Sequence, residues 1–309
     1  MSADNRSKMD CEMEVVKEWV NTIQLIIYIP TFIVGLFLNG IALFIFIFKM
    51  RTESTIYMTN LAIMDIFLLI PLPFRMYAAK NEWILSKSAC SAFEALYFVG
   101  VYGSILTITF ISIDRYISIK HPFKAKILRS PRNVYIACFG IWIMVLVGVL
   151  PVFTFHKNTN TTEKFRCFHN FSDDSWQPKV VIPLVVFGFL IPVSILLFCS
   201  IQIINALKKL QSNDKTSLRI VYANLFVFLI SFTPSHLGIF LQFLVRNKIL
   251  IDCSTKMGIS FYVQISMCLS NITCCLDAIC YYFVASEFRS RGIPRRLSSR
   301  NPTTSVTEI

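Results

Sequence analysis

Seven apolar runs, at residues 20–48, 56–79, 91–119, 134–155, 180–207, 218–245 and 257–284, constrain this chain more than any other feature. Each reaches the ~20 residues that an α-helix needs to cross the hydrocarbon of a bilayer. Of the 309 residues, 55 % are hydrophobic and 16 % are charged. A soluble domain averages about 25 % charged residues. The expected fold is all-α: a seven-transmembrane helix bundle over 20–284, an extracellular N-terminus over 1–19, and a short amphipathic eighth helix with a cytoplasmic tail over 285–309. The N-terminal stretch is polar and lacks the apolar centre of a cleaved signal peptide. Internal prolines such as Pro71, Pro73, Pro192 and Pro234 are tolerable where neighbouring helices cover the freed carbonyls. No internal repeat is evident, which disfavours an inverted-repeat transporter.

Seven spans place the termini on opposite sides, and the linkers decide which. With Met1 outside, the inner linkers and tail hold Lys49, Arg51, Lys120, Lys124, Lys126, Arg129, Arg132, Lys208, Lys209 and several arginines after Phe288, against only four acids. That positive-inside bias puts the N-terminus outside the plasma membrane. The net charge of +12 then lies on the cytosolic face, where it suits anionic lipid and an acidic protein partner, not nucleic acid. Sequons at Asn5, Asn160 and Asn170 fall outside and are candidate glycosylation sites; one at Asn271 lies inside the seventh run and is expected to stay unmodified. No nucleophile–base–acid set or metal-ligand spacing appears, so an enzyme is not expected.

The stretch from Cys90 to Tyr116 carries the most specific marks. At about 1.5 Å per helical residue, Cys90 and Arg115 lie roughly 38 Å apart, at opposite membrane faces. The triplet Asp114-Arg115-Tyr116 resembles the third-span signature of the rhodopsin-like (class A) G-protein-coupled receptors. Matching marks follow at the family's spacings: Asn39, Asn60 to Asp65, Trp142, Pro192, Phe232-Thr-Pro234, and Asp277 to Tyr281. Departures are also present. Phe232 replaces the usual tryptophan, Asp277-Ala278 the usual Asn-Pro, and Ser200 the span-five tyrosine; no cysteine follows Cys280 for a palmitoyl anchor. The resemblance implies a G-protein switch of Asp114, Arg115, Tyr116, Phe232, Pro234, Asp277 and Tyr281. It has Asp114 hold Arg115, with Asp214 as a second partner, and predicts a less kinked seventh helix. It implies a Cys90–Cys167 disulfide and, as in the purinergic branch, a Cys11–Cys253 bridge. No cofactor is expected beyond sodium, for which Asp65, Ser104 and Asp277 are the candidate ligands; structural hydrogen bonding alone is the competing reading.

Within that class, Tyr102-Gly103-Ser104, Leu128 to Arg132, Cys167 to Asp174 and His236 to Asn247 resemble the purinergic and lysophospholipid branch, nearest the lysophosphatidylinositol receptors grouped with the atypical cannabinoid type. That resemblance implies a lysophospholipid ligand, coupling to G12/13- and Gq-class G proteins, and signalling to Rho and calcium. A small aromatic carboxylic acid is the rival ligand, and a transporter or channel using Asp65 and Asp277 is the rival class. The outer ends of the spans offer Arg75, Glu94, Tyr97, Phe98, Lys179, His236, Phe240 and Arg246 as ligand-binding candidates. Cations above an aromatic cavity suit an anionic headgroup with an acyl tail. Lys179 and Arg246 read equally as snorkelling rim residues. Glu94 reads as a ligand contact or as an ion partner for Arg75, and His236 as a ligand contact or a structural histidine. Phe187 and Phe232 are further candidates to enclose the tail. In the tail, Ser298 and Ser299 follow Arg295-Arg296 as candidate phosphorylation sites for arrestin recruitment, and Thr307-Glu308-Ile309 resembles a PDZ-binding end.

Overall fold

A computed structural model describes residues 3–48, 52–81, 83, 85–154, 167–168, 173–209, 215–250 and 252–292, with side chains throughout except at 3–17, 126, 154, 173–174, 215–216, 253 and 284–292. Seven helical segments are long and apolar enough to cross a membrane: Glu18–Phe48, Glu53–Lys80, Lys87–Lys120, Pro131–Phe153, Pro178–Lys209, Ser217–Arg246 and Ser254–Phe283. Helices suit these sequences because lipid offers no partner for a backbone N–H or C=O. The second and third spans are the most deeply buried, while the first, fourth and fifth turn most of their apolar surface outward. Phe37, Phe139, Val147 and Phe187 are exposed on that outward surface, as lipid contact demands.

Local sequence sets the breaks. Thr52 caps the second span, accepting from Thr55 N–H while Thr55 Oγ1 accepts from Thr52 N–H. Ser86 and Ser130 cap the third and fourth spans by accepting from the N–H groups of Ala89 and Asn133. The second span is two helices, Glu53–Leu69 and Leu72–Lys80, because Pro71 has no N–H to continue the ladder. The helix restarts with Arg75 N–H donating to Pro71 O at 2.9 Å, so Arg75 lies in the first turn beyond the break. In the fifth span, Val186–Leu190 is one π-helical turn just before Pro192, a common device where a regular turn is interrupted.

Two expectations shift. The first helix begins at Ala3, ahead of its apolar run, and the last is continuous from Cys253 to Gly292, so the amphipathic eighth helix is not a separate element. That continuity agrees with the missing seventh-span proline.

Side-chain bonds tie the helices together through the core. Asn39 Nδ2 donates to Gly35 O and Cys274 O, both at 2.9 Å. Asn60 Nδ2 donates to Thr107 Oγ1 at 2.8 Å, and Trp142 Nε1 donates to Asn60 Oδ1 at 3.0 Å. One asparagine therefore joins the second, third and fourth spans. Gly100 lets the second and third spans meet: a Cβ there would lie 2.7 Å from Leu68 N and 2.9 Å from Leu68 Cα. Gly140 has open space at the same position. Gly100→Ala is therefore expected to cost about 1–3 kcal/mol by forcing two backbones apart. Thermal unfolding in detergent should show a lower Tm for Gly100→Ala and an unchanged one for Gly140→Ala.

Candidate functional site

Arg75 is the centre of the outer half of the bundle. It is only 8 % exposed. Its guanidinium carbon lies 4.6 Å from the Tyr97 ring centroid, 5.1 Å from that of Phe168 and 5.8 Å from that of Tyr28. Nη2 reaches Met267 Sδ at 3.6 Å, a weak contact, while Nη1 is buried and has no hydrogen-bond partner among the described residues. Aromatic faces hold a desolvated cation by about 2 kcal/mol or more each at best. They do not give Nη1 a hydrogen-bond acceptor.

Glu94 is 1 % exposed and accepts the backbone N–H of Phe168 through Oε1 at 3.1 Å. Cys90 and Cys167 form the expected disulfide, which fixes the loop residue next to Phe168. Glu94 lies beside these two sulfurs, but the disulfide consumes both thiols and leaves no metal site. Phe168 adopts φ 65°, a left-handed backbone that costs a non-glycine residue roughly 1–2 kcal/mol. Trp83 packs edge-on against it with ring centroids 6.3 Å apart. Neither Trp83 nor Phe168 was singled out from the sequence, because single aromatic residues in loops carry no periodic signal.

A chain of rings leads inward from Arg75. Tyr97 touches Phe98 at 5.4 Å and Phe98 stacks on Tyr102 at 6.3 Å. Tyr102 meets His236 edge-on at 5.7 Å, and His236 stacks on Phe189 at 4.5 Å. Phe189 then stacks on Phe228, which packs against Phe232. His236 bonds Phe232 O through Nδ1 at 2.8 Å and leaves Nε2 buried without a partner among the described residues. Phe232 is fully buried in the core. Phe240 and Arg246 are exposed. A crevice of ≈ 630 Å³ opens between the third, fourth and fifth spans. Phe98, Tyr102 and Phe187 line it, and Lys179 stands among its lining residues.

In the middle of the bundle, Tyr281 OH donates to Asp65 Oδ2 at 2.8 Å and lies 3.1 Å from Asn39 Oδ1. Ser104 Oγ lies 3.5 Å from Asp65 Oδ1, a marginal bond. Asp277 is fully buried beside Asp65, and neither of its oxygens has a hydrogen-bond partner among the described residues. Two adjacent carboxyl groups buried in the core favour a shared proton or a cation. Their donor set suits a hard cation such as sodium.

At the inner end, Asp114 does not hold Arg115 as the resemblance implied. Its carboxylate pairs with Arg129, Nε to Oδ1 at 2.8 Å, and Arg129 Nη2 also reaches Ser54 Oγ at 3.3 Å. Arg129 follows the short inner-loop helix Pro122–Leu128, whose placement decides the pairing. Arg115 is buried at 5 % exposure. Tyr116 OH lies 3.3 Å from His121 Nε2, and its ring packs on Phe198. Tyr262 OH donates to Pro234 O at 3.1 Å, joining the sixth and seventh spans. The side chains of Cys11 and Cys253, of Asn5, Asn160 and Asn170, and of Asp214, Ser298 and Ser299 lie outside the described residues.

Seven helices long and apolar enough to cross a membrane, a disulfide from the third span to the loop at Cys167 and the Asp114-Arg115-Tyr116 triplet at the third span's other end mark a receptor of the rhodopsin-like class. The chain matches the seven-transmembrane receptor (rhodopsin family) model over residues 38–281 and belongs to that family. It is a multi-pass membrane protein of a receptor family, not of an enzyme family. It is similar to the human G-protein coupled receptor 55, with 44 % identity over 94 % of this chain and 93 % of the relative. It is also similar to the chicken lysophosphatidic acid receptor 6, with 35 % identity over 84 % of this chain and 89 % of that one. The mouse G-protein coupled receptor 35 shares 33 % identity, with 86 % of each chain covered.

The Arg129 pair makes one test available at once. If Asp114–Arg129 steadies the resting arrangement, Arg129→Ala should raise basal nucleotide exchange about two- to fivefold, the shift given by losing ~0.5–1 kcal/mol from one side of a two-state equilibrium. Arg129→Lys should stay nearer the wild type. Exchange measured on purified receptor with G protein checks both.

Proposed function

We propose that this receptor is activated by a lysophospholipid with an anionic headgroup, lysophosphatidylinositol above all, and that Arg75 binds the phosphate. One observation carries the reading: a buried guanidinium, walled by aromatic rings, with Nη1 unpaired. A phosphate oxygen supplies the missing acceptor in a charge-assisted bond. The crevice beside Phe98 and Tyr102 gives an acyl tail an apolar channel that opens to lipid, with Lys179 able to meet a second anionic oxygen. A small aromatic acid would use the same cation but has no need of that channel. Similarity to a lysophosphatidic acid receptor supports the same ligand class. The ring chain from Tyr97 to Phe232 offers a packed route from ligand to the sixth span.

The receptor is read as lying in the plasma membrane with its N-terminus outside, glycosylated at Asn5, Asn160 and Asn170, and tethered by Cys11–Cys253. It couples to G12/13- and Gq-class proteins, signalling to Rho and calcium through the inner face around Arg115. Phosphorylation of Ser298 and Ser299 recruits arrestin, and Ile309 ends a PDZ-binding segment. Sodium held by Asp65, Ser104 and Asp277 favours the resting state; the unpaired Asp277 oxygens support this.

A Rho-reporter assay tests the ligand. Wild type should respond to lysophosphatidylinositol, and Arg75→Ala should shift the half-maximal concentration upward about 30-fold or more, since losing one partner of a buried charge pair costs ~2 kcal/mol or more. A silent wild type sinks the ligand assignment, as would a response only to a small aromatic acid; an unshifted Arg75→Ala removes the phosphate role. Separately, Asp65→Asn should abolish the dependence of basal signalling on sodium; unchanged dependence rejects the cation site.

A further inference from the structure

His236 reads from the sequence as a ligand contact or as a structural histidine, and the structure puts its two nitrogens in different situations. Nδ1 lies 2.8 Å from Phe232 O, whereas Nε2 is buried without a hydrogen-bond partner among the described residues. We propose that His236 is a specificity-determining residue of the ligand site: its Nε2 accepts a hydrogen bond from a hydroxyl group of the lysophospholipid, supplied by a polyol headgroup or by the glycerol. The proposal rests on the lysophospholipid reading of the site.

The first bond sets the polarity of the second nitrogen. A carbonyl oxygen only accepts, so Nδ1 carries the proton, and in a neutral imidazole Nε2 is then an acceptor. The ring stacks on Phe189 at 4.5 Å and is met edge-on by Tyr102 at 5.7 Å. Neither ring offers a counter-charge for an imidazolium. Nε2 therefore calls for an O–H or N–H donor. This is the reverse of Arg75, whose unpaired Nη1 calls for an acceptor. A ligand that satisfies both carries an anionic group and a hydroxyl, as a phosphate ester of a polyol does.

The position of His236 suits contact with such a ligand. Tyr102, which touches it, also lines the crevice between the third, fourth and fifth spans. Gly188 lines the same crevice and seats the Tyr102 ring: a Cβ there would lie 2.6 Å from Tyr102 Cε1. Gly188 and Phe189 both belong to the π-helical turn Val186–Leu190, so one irregular turn positions both rings that hold His236. Such turns occur frequently at functional sites. A purely structural histidine accounts for the bond to Phe232 O. It does not account for Nε2, since buried polar atoms are rarely left unpaired and a phenylalanine would fill the same apolar space.

The test is equilibrium binding of three ligands to the full-length receptor in bilayer nanodiscs. Lysophosphatidylinositol is the parent. Its 2-deoxyglycerol analogue keeps the polyol and lacks the glycerol hydroxyl. Lysophosphatidylmethanol keeps the phosphate diester and the glycerol hydroxyl and lacks the polyol. Wild type should bind one analogue about tenfold more weakly than the parent, the scale of one buried acceptor left unpaired; which analogue it is identifies the source of the hydroxyl. His236→Phe should bind the parent about tenfold more weakly and that analogue as wild type does. His236→Gln, which keeps an acceptor oxygen, should retain most of the preference. Equal affinity of wild type for all three ligands would overturn the proposal, and this comparison needs no variant to fold. An equal loss for all three ligands in His236→Phe would leave His236 a structural role only, and His236→Gln binding like His236→Phe would show that the acceptor is not what matters. No saturable binding of the parent to wild type would instead overturn the lysophospholipid reading itself.

Discussion

A bilayer offers no hydrogen bonds, so every polar group inside the bundle must find its partner within the protein or be completed by something that enters. Most of the buried polar side chains here are completed. Asn39 and Asn60 bond across helices, and Tyr281 gives its hydrogen to Asp65. The exceptions among the described residues include Arg75 Nη1 and Tyr28 OH, His236 Nε2 midway along the ring chain, both Asp277 oxygens, and side-chain atoms of Trp176, Asn224, Ser231, Asn271 and Thr273. An unpaired buried group costs about 1–3 kcal/mol, more when charged. The bonds of Asn39 and Asn60 across helices help the fold to tolerate such groups.

The same constraint links the parts in sequence. Pro71 interrupts the second span, and the new helix begins with Arg75 in its first turn. The third span supplies Tyr97 below the cation and Glu94 beside the disulfide. Further inward, rings replace hydrogen bonds as the contacts between spans, ending at Phe232 in the sixth. At the opposite end of the bundle, charge returns, and Arg129 fastens the loop after the third span to Asp114 and Ser54. A ligand that alters the outer rings therefore acts on a packed column, not on isolated side chains.

Much of this was legible in the residues. Long apolar runs fixed the number of spans, because hydrocarbon thickness sets a length that composition reveals. Pro71 and Pro192 stand at or beside two of the places where the described helices depart from regular geometry. Arg75 and Tyr97 were recognisable because a cation inside an apolar span needs a reason to be there. What stayed hidden depended on loops and on direction. The pairing of Asp114 with Arg129 follows from where a seven-residue loop helix docks. The position of Phe168 over Arg75 follows from one positive φ after a disulfide. Phe232, Phe240 and Phe187 looked alike as residues, yet one is core, one is exposed, and one lines the crevice.

The proposed ligand role rests on Arg75, whose buried Nη1 has no partner among the described residues. The most direct measurement is an electron-microscopy structure of the receptor with bound lysophosphatidylinositol. It should show a phosphate oxygen roughly 3 Å from Arg75 Nη1 and the acyl chain in the crevice beside Phe98. A phosphate seated elsewhere, with Arg75 still enclosed by Tyr97 and Phe168 and its Nη1 unpaired, would contradict it.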